Sequence, residues 1–342
     1  MNTHELPMIL FTVIAQLSVG TFIALGIMDV LLSHRNDATT VRRITEPVLY
    51  AIGPALVLGL LISMLHMNDV LHVFNVVRHW DSSWLSREIL FGMGFAGLGF
   101  LFAILSWFRI GSDALRRVVG LLTALVGIGL VSSMSMIYYS LVTVPAWNTP
   151  IVPFHFFLTT IILGALAAGC ALMWTVMVRG RNEGRAPAGE APVVGGGGVA
   201  VATKPSTKAG ISARIAEINA PTTADEWKAI TQVMQWIAVV TAVGGILVLI
   251  SYPVHISALA AGDATAQASA AVFSGTFFVG RMLLLALATV VLALFGYRLA
   301  GQTLRERPQL LVLLITTAFV LATIAEIMGR SLHYDSMFRV GI

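Results

Sequence analysis

The chain has 342 residues, of which 57% are hydrophobic and only 11% charged, with a mean hydropathy of +0.86. A soluble domain carries about a quarter charged residues, so this composition excludes a soluble globule and points to an integral membrane protein. The formal charge of +4 does not make a nucleic-acid-binding face, because the basic residues sit in short stretches between apolar runs.

Residues 7–32 form the first apolar run. It is too long for a cleavable leader and lacks a basic start, so it is expected to be a retained first span. Further runs lie at 47–67, 86–108, 116–142, 152–178, 229–252, 270–298 and 309–331. Each reaches the roughly 20 residues needed to cross a hydrocarbon core as helix. The runs do not alternate polar and apolar residues, and lipid demands that every backbone group be satisfied internally, which requires helices. The expected fold is all-α: a polytopic membrane protein with eight transmembrane helices, the second broken at Pro54. Small residues recur in FGMGFAGLGF (91–100) and ILGALAAG (162–169), and the Gly164/Ala168 spacing lets helices approach closely. Residues 180–226, rich in Gly, Ala and Pro and including Gly195–Gly198, read as a flexible cytoplasmic linker, with a short helix over Ile211–Ile218 open. It divides one membrane domain into residues 1–179 with spans 1–5 and residues 227–342 with spans 6–8.

Sixteen of the 21 basic residues fall in the segments after spans 1, 3, 5 and 7. By the positive-inside rule those segments are cytoplasmic and both termini face outward, N-out and C-out.

This topology assigns depth to the unusual residues. His66 ends span 2, Glu88 opens span 3, His155 opens span 5 and His255 follows span 6. Glu326, Arg330 and His333 close span 8, and Arg281 lies about a third of the way into span 7. All belong to the outer half of the membrane; Asp29 alone sits at an inner end. Ionisable groups at membrane depth are costly and mark functional sites. A neutral imidazole and a carboxylate can hydrogen-bond the two hydroxyls of a quinol and accept its protons. His66 and Glu88 are joined by a single external loop and suit that task. Structural readings stand beside this one. Ser86 reads as an N-cap that makes Glu88 a first-turn carboxylate favoured by the helix end. Glu326 and Arg330, four residues apart, read as a pair on one helix face, with Glu326 also a partner for Arg281. His155 and His255 read as interfacial. Cys170 cannot form a disulfide within the chain, and a cluster requiring about four thiolates cannot be self-ligated, so it reads as a packing residue. The histidines offer no axial pairs at two depths, so no haem is expected, and no metal motif is present. A transporter or plain anchor is the competing class, although transporters favour polar groups near the midplane.

LPMILFTVIAQLSVGTFI (6–23), ISMLHMNDVLHVFNVV (62–77), SSWLSREILFG (82–92), TVPAW (143–147) with FFLT (156–159), and EIMGRSLHY (326–334) carry a resemblance. With them the sequence resembles the membrane-anchor subunit family of dimethyl sulfoxide reductases over nearly its whole length, with 180–226 as an insertion. The resemblance implies eight helices in a bacterial inner membrane, both termini periplasmic, and no haem or iron–sulfur cluster in this chain. It implies oxidation of menaquinol, with electrons passed to a four-cluster iron–sulfur subunit and on to a molybdopterin catalytic subunit. The family's quinol-site histidine and glutamate fall on His66 and Glu88. Arg78, Arg281, Glu326 and Arg330 are expected in supporting roles. The related polysulfide-reductase type of anchor is a further alternative.

Overall fold

The computed structural model describes residues 6–64, 79–183, 212, 215–302 and 306–340. In chain order the helices are α1 (Leu6–Ser33), α2 (Ala38–Met64), α3 (Trp84–Trp107), α4 (Asp113–Tyr139), α5 (Ile151–Glu183), α6 (Ala224–Ala260), α7 (Ala264–Ala271), α8 (Thr276–Ala286), α9 (Leu292–Gln302) and α10 (Pro308–Asp335). A π-helical turn, Leu287–Val291, joins α8 and α9 into one run. Among the described residues there is no strand, and seven runs are long and apolar enough to cross a bilayer: α1, α3, α4, α5, α6, α8 through α9, and α10. Large apolar side chains such as Phe100, Leu121, Leu283 and Leu313 point outward, as a surface bathed in acyl chains allows.

Two elements differ from expectation. Pro54 lies within continuous helix rather than at a break; membrane helices tolerate proline where neighbouring groups satisfy the freed carbonyl. The run expected at 270–298 begins only at Thr276. Before it, Asp263 caps α7 by accepting from Ala266 N at 2.8 Å, and Gly275 in an extended conformation separates a 3-10 turn, Val272–Ser274, from α8.

Glycines set the closest helix crossings. A Cβ on Gly164 of α5 would overlap the backbone of Gly20 on α1, and one on Gly20 would overlap the Thr160 carbonyl. The two backbones therefore touch directly, as the small-residue spacing predicts. In α3, Gly92 and Gly94 face Leu130 and Val126 of α4, while Gly127 and Gly129 of α4 receive the rings of Phe95 and Phe91. The α3–α4 turn contains Gly111 at φ +75°, a left-handed conformation that glycine adopts without steric cost.

The bundle has two chemically distinct ends. At the basic end, where α1 ends and α2 begins, Arg43 pairs with Glu226 and donates to Ala220 O at 2.7 Å and Pro221 O at 2.8 Å. Arg179, fully buried, donates to Ile218 O at 2.7 Å and to Arg43 O at 2.8 Å. Arg109 and Glu217 pair at 2.8 Å. Thr223 and Glu226 form a capping box at the start of α6. These bonds hold a helical turn at 215–219 and the following residues against the bundle, so the backbone is anchored well before residue 226. α5 likewise runs past 179 to Glu183, and residues 184–211 of the expected linker lie outside the described residues.

Gly164→Ala should lower stability by about 1–3 kcal/mol, the usual cost of overpacking. Gly26→Ala, where a Cβ meets nothing within 4 Å, should not. Thermal unfolding midpoints of the purified proteins in detergent check both outcomes.

Candidate functional site

Glu88, His155, His255, Arg281, Glu326, Arg330 and His333 lie at the end opposite the basic one. His66 and Arg78 lie outside the described residues. Glu88 is buried, with 7% of its surface exposed. Its helix starts earlier than expected: Ser83, not Ser86, is the N-cap, and its hydroxyl accepts from Ser86 N at 3.3 Å. Arg87 reinforces this start by donating to Trp80 O at 2.9 Å and lying 4.1 Å over the Trp84 ring. Glu88 therefore belongs to the second turn of α3. The electrostatic benefit of a helix N-terminus fades within the first turn, so it does not account for a carboxyl buried here. Among the described residues no hydrogen bond or ion pair reaches Glu88, and α3 packs chiefly along α4, the helix that carries Tyr138.

A second group of buried polar residues gathers among α1, α5, α6, α8 and α10. Arg281 on α8, 2% exposed, donates through Nε to Ala325 O at 3.1 Å and places Nη2 3.8 Å from Glu326 Oε2. Its guanidinium lies 4.5 Å over the Tyr252 ring and fills the space that Gly329 leaves by lacking a side chain. Thr159 Oγ1 donates to Glu326 Oε2 at 2.8 Å, while Glu326 Oε1 is buried with no hydrogen-bond partner among the described residues. The expected pairing of Glu326 with Arg330 within one helix gives way to contacts between helices. Arg330 donates to Gln16 Oε1 at 3.0 Å and stacks 3.6 Å over Phe156, and Gln16 in turn donates to Phe156 O at 3.1 Å. The reason is burial: Ala322, Ala325, Glu326, Gly329 and Arg330 form the inward stripe of α10, where α1, α5 and α8 supply better-aligned partners than an adjacent turn can.

His155 and His255, expected at the interface, also belong to this interior. His155 shares a 2.6 Å hydrogen bond with Ser251 and stacks on Tyr252, and His255 meets the edge of Phe273. His333 stacks on Trp147, whose indole donates to His333 O at 2.8 Å. Tyr138 and Tyr334 share a 2.6 Å hydrogen bond between their hydroxyls. The tyrosine pair and Gln16 were not identified from sequence. The signals that could have found them are a glutamine within an otherwise apolar span and tyrosines at the ends of two others. Glu326, Arg281, Arg330, His155, His255 and His333 line a cavity of about 40 Å³, room for about one to three waters and too small for a quinone ring. A larger cavity, about 500 Å³, lies elsewhere, in an apolar furrow of α1, α5 and α6 running toward His34 and Arg35 at the basic end. Its lining suits acyl chains rather than proton chemistry.

Arg281→Leu should destabilise the protein by about 3–5 kcal/mol, because it leaves the Glu326 carboxylate buried without its counter-charge. The double change Arg281→Leu with Glu326→Leu should recover most of that loss. Thermal unfolding of the single and double variants decides whether the two side chains act as a pair.

Comparison with known proteins adds the family. Residues 1–182 match the family model for the DMSO reductase anchor subunit, DmsC. The protein is 34% identical over 178 residues to the C subunit of the anaerobic dimethyl sulfoxide reductase of Haemophilus influenzae, an alignment covering 51% of this sequence and 61% of that one. It is 32% identical over 163 residues to the corresponding C subunit of Escherichia coli K12, covering 48% and 56% respectively. With the anaerobic dimethyl sulfoxide reductase subunit YnfH of the same organism it shares 29% over 169 residues, covering 49% and 58%. The match thus spans less than two thirds of each relative's length. The apolar helices and a family match across more than half the sequence agree: this protein belongs to the DMSO reductase anchor subunit family.

Proposed function

We propose that this protein is the quinol-oxidising membrane subunit of a molybdoenzyme complex. In this reading α2 completes a set of eight transmembrane helices, the basic end faces the cytoplasm, and both termini face the periplasm. The grouping of arginines in the segments after spans 1, 3, 5 and 7 supports that orientation. Menaquinol enters from the outer leaflet and hydrogen-bonds to His66 and Glu88. Its two protons pass to the imidazole and the carboxylate, and its two electrons leave to a four-cluster iron–sulfur partner. That partner feeds a molybdopterin catalytic subunit, which selects the terminal acceptor.

The observation that carries this reading is the position of Glu88: a carboxyl buried in the second turn of a membrane helix, beyond the helix-end field. Ionisable groups are kept at such depth when function requires them. The relatives' names supply the complex type, since they are subunits of anaerobic dimethyl sulfoxide reductases. Arg78, Arg281, Glu326 and Arg330 support the site rather than touch the quinol, the last three from around the neighbouring small cavity.

In the assembled complex, Glu88→Gln should reduce quinol-dependent turnover by about 10²-fold or more, the scale of a lost proton acceptor. Assembly and activity with an artificial electron donor should survive. His66→Ala should chiefly weaken binding of a quinone-analogue inhibitor. Persistent quinol turnover in Glu88→Gln would remove the site.

A further inference from the structure

If Glu88 takes a proton from each quinol, it must release that proton before the next turnover, and the residues beside it offer a route. Tyr138 lies at the end of α4, the helix that packs along α3, and its hydroxyl shares a 2.6 Å hydrogen bond with Tyr334 of α10. One turn back along α10, Arg330 stacks over Phe156, whose ring also meets that of Tyr138. Beyond it is the small cavity, in which Glu326, 4% exposed, has one oxygen held by Thr159 and the other unpartnered among the described residues. The buried Nε2 of His333, at the rim of the same cavity, is likewise without a hydrogen-bond partner among those residues. Buried polar groups in such a space are satisfied by ordered water, and the volume accepts it.

We infer that this cavity is a hydrated proton-accepting site, joined to Glu88 through the Tyr138–Tyr334 hydroxyl pair, with Glu326 Oε1 as the receiving atom. The inference rests on the quinol site proposed above and names its proton exit. The proton leaves the Glu88 carboxyl for the Tyr138 oxygen as that hydroxyl passes its own proton to Tyr334. Tyr334 passes one on through water, and Oε1 of the Glu326 carboxylate gains it. One O–H bond is made for each one broken, and no electron moves. The proton does not stay beside Arg281, which pairs with Glu326 Oε2. It continues to the outer rim, where His333 and Ser336 line the cavity.

The test uses the assembled complex in membrane vesicles, with a soluble quinol analogue as donor. Glu326→Gln keeps the Thr159 hydrogen bond but cannot carry the proton, and Tyr138→Phe interrupts the hydroxyl pair. Each should slow quinol turnover about tenfold or more and raise the solvent deuterium isotope effect, while quinone-analogue inhibitor binding stays at the wild-type level. Small weak acids such as acetate should partly restore the rate of Glu326→Gln. Normal rates and isotope effects in both variants, with Glu88→Gln inactive, would overturn the relay and leave the quinol site standing. An active Glu88→Gln would overturn the site itself. If Glu326→Gln does not assemble, Tyr334→Phe reports on the same route.

Discussion

Placing two guanidiniums and a carboxylate inside an apolar bundle is costly, and Arg281, Arg330 and Glu326 meet that cost only by sharing partners drawn from several helices. Glu326 binds Thr159 of α5 and Arg281 of α8, and Arg330 binds Gln16 of α1 while lying over Phe156 of α5. No two of these helices can separate at this level without stranding a charge in a medium that cannot solvate it. The network therefore fixes the end of the bundle opposite the basic one, and with it the positions of the histidines and tyrosines around it.

The basic end is held by different means. Arg43 and Arg179 there bond mainly to backbone carbonyls at Ile218, Ala220 and Pro221, so a returning segment is clamped by its main chain. Main-chain recognition of this kind tolerates sequence change, whereas the side-chain network at the other end does not. The division agrees with the proposed proton chemistry, which needs fixed side chains at the end opposite the basic one.

Much of this is legible in the sequence because the bilayer imposes simple rules. Seven of the eight runs, the close approach at Gly164, the Arg281–Glu326 pair and the burial of Glu88 all follow from hydropathy, small-residue spacing and the cost of intramembrane charge. What is not legible depends on which helices are neighbours. Arg330 reaches Gln16, 314 positions away, and Tyr138 meets Tyr334 across 196, and no local pattern encodes such pairings. The cap falls at Ser83 rather than Ser86 because Trp84 and Leu85, which precede the run expected at 86–108, form the first helical turn. His155 and His255 read as interfacial because α7 falls almost wholly in the connecting segment before the span expected at 270–298, and Phe273, which meets His255, falls within that span.

The bare backbone contact between Gly20 and Gly164 lies near the middle of both α1 and α5. The two helices pack along much of their length, and at this crossing their main chains meet. Neither helix can take even a methyl group there, so backbone geometry sets how α1 lies against α5.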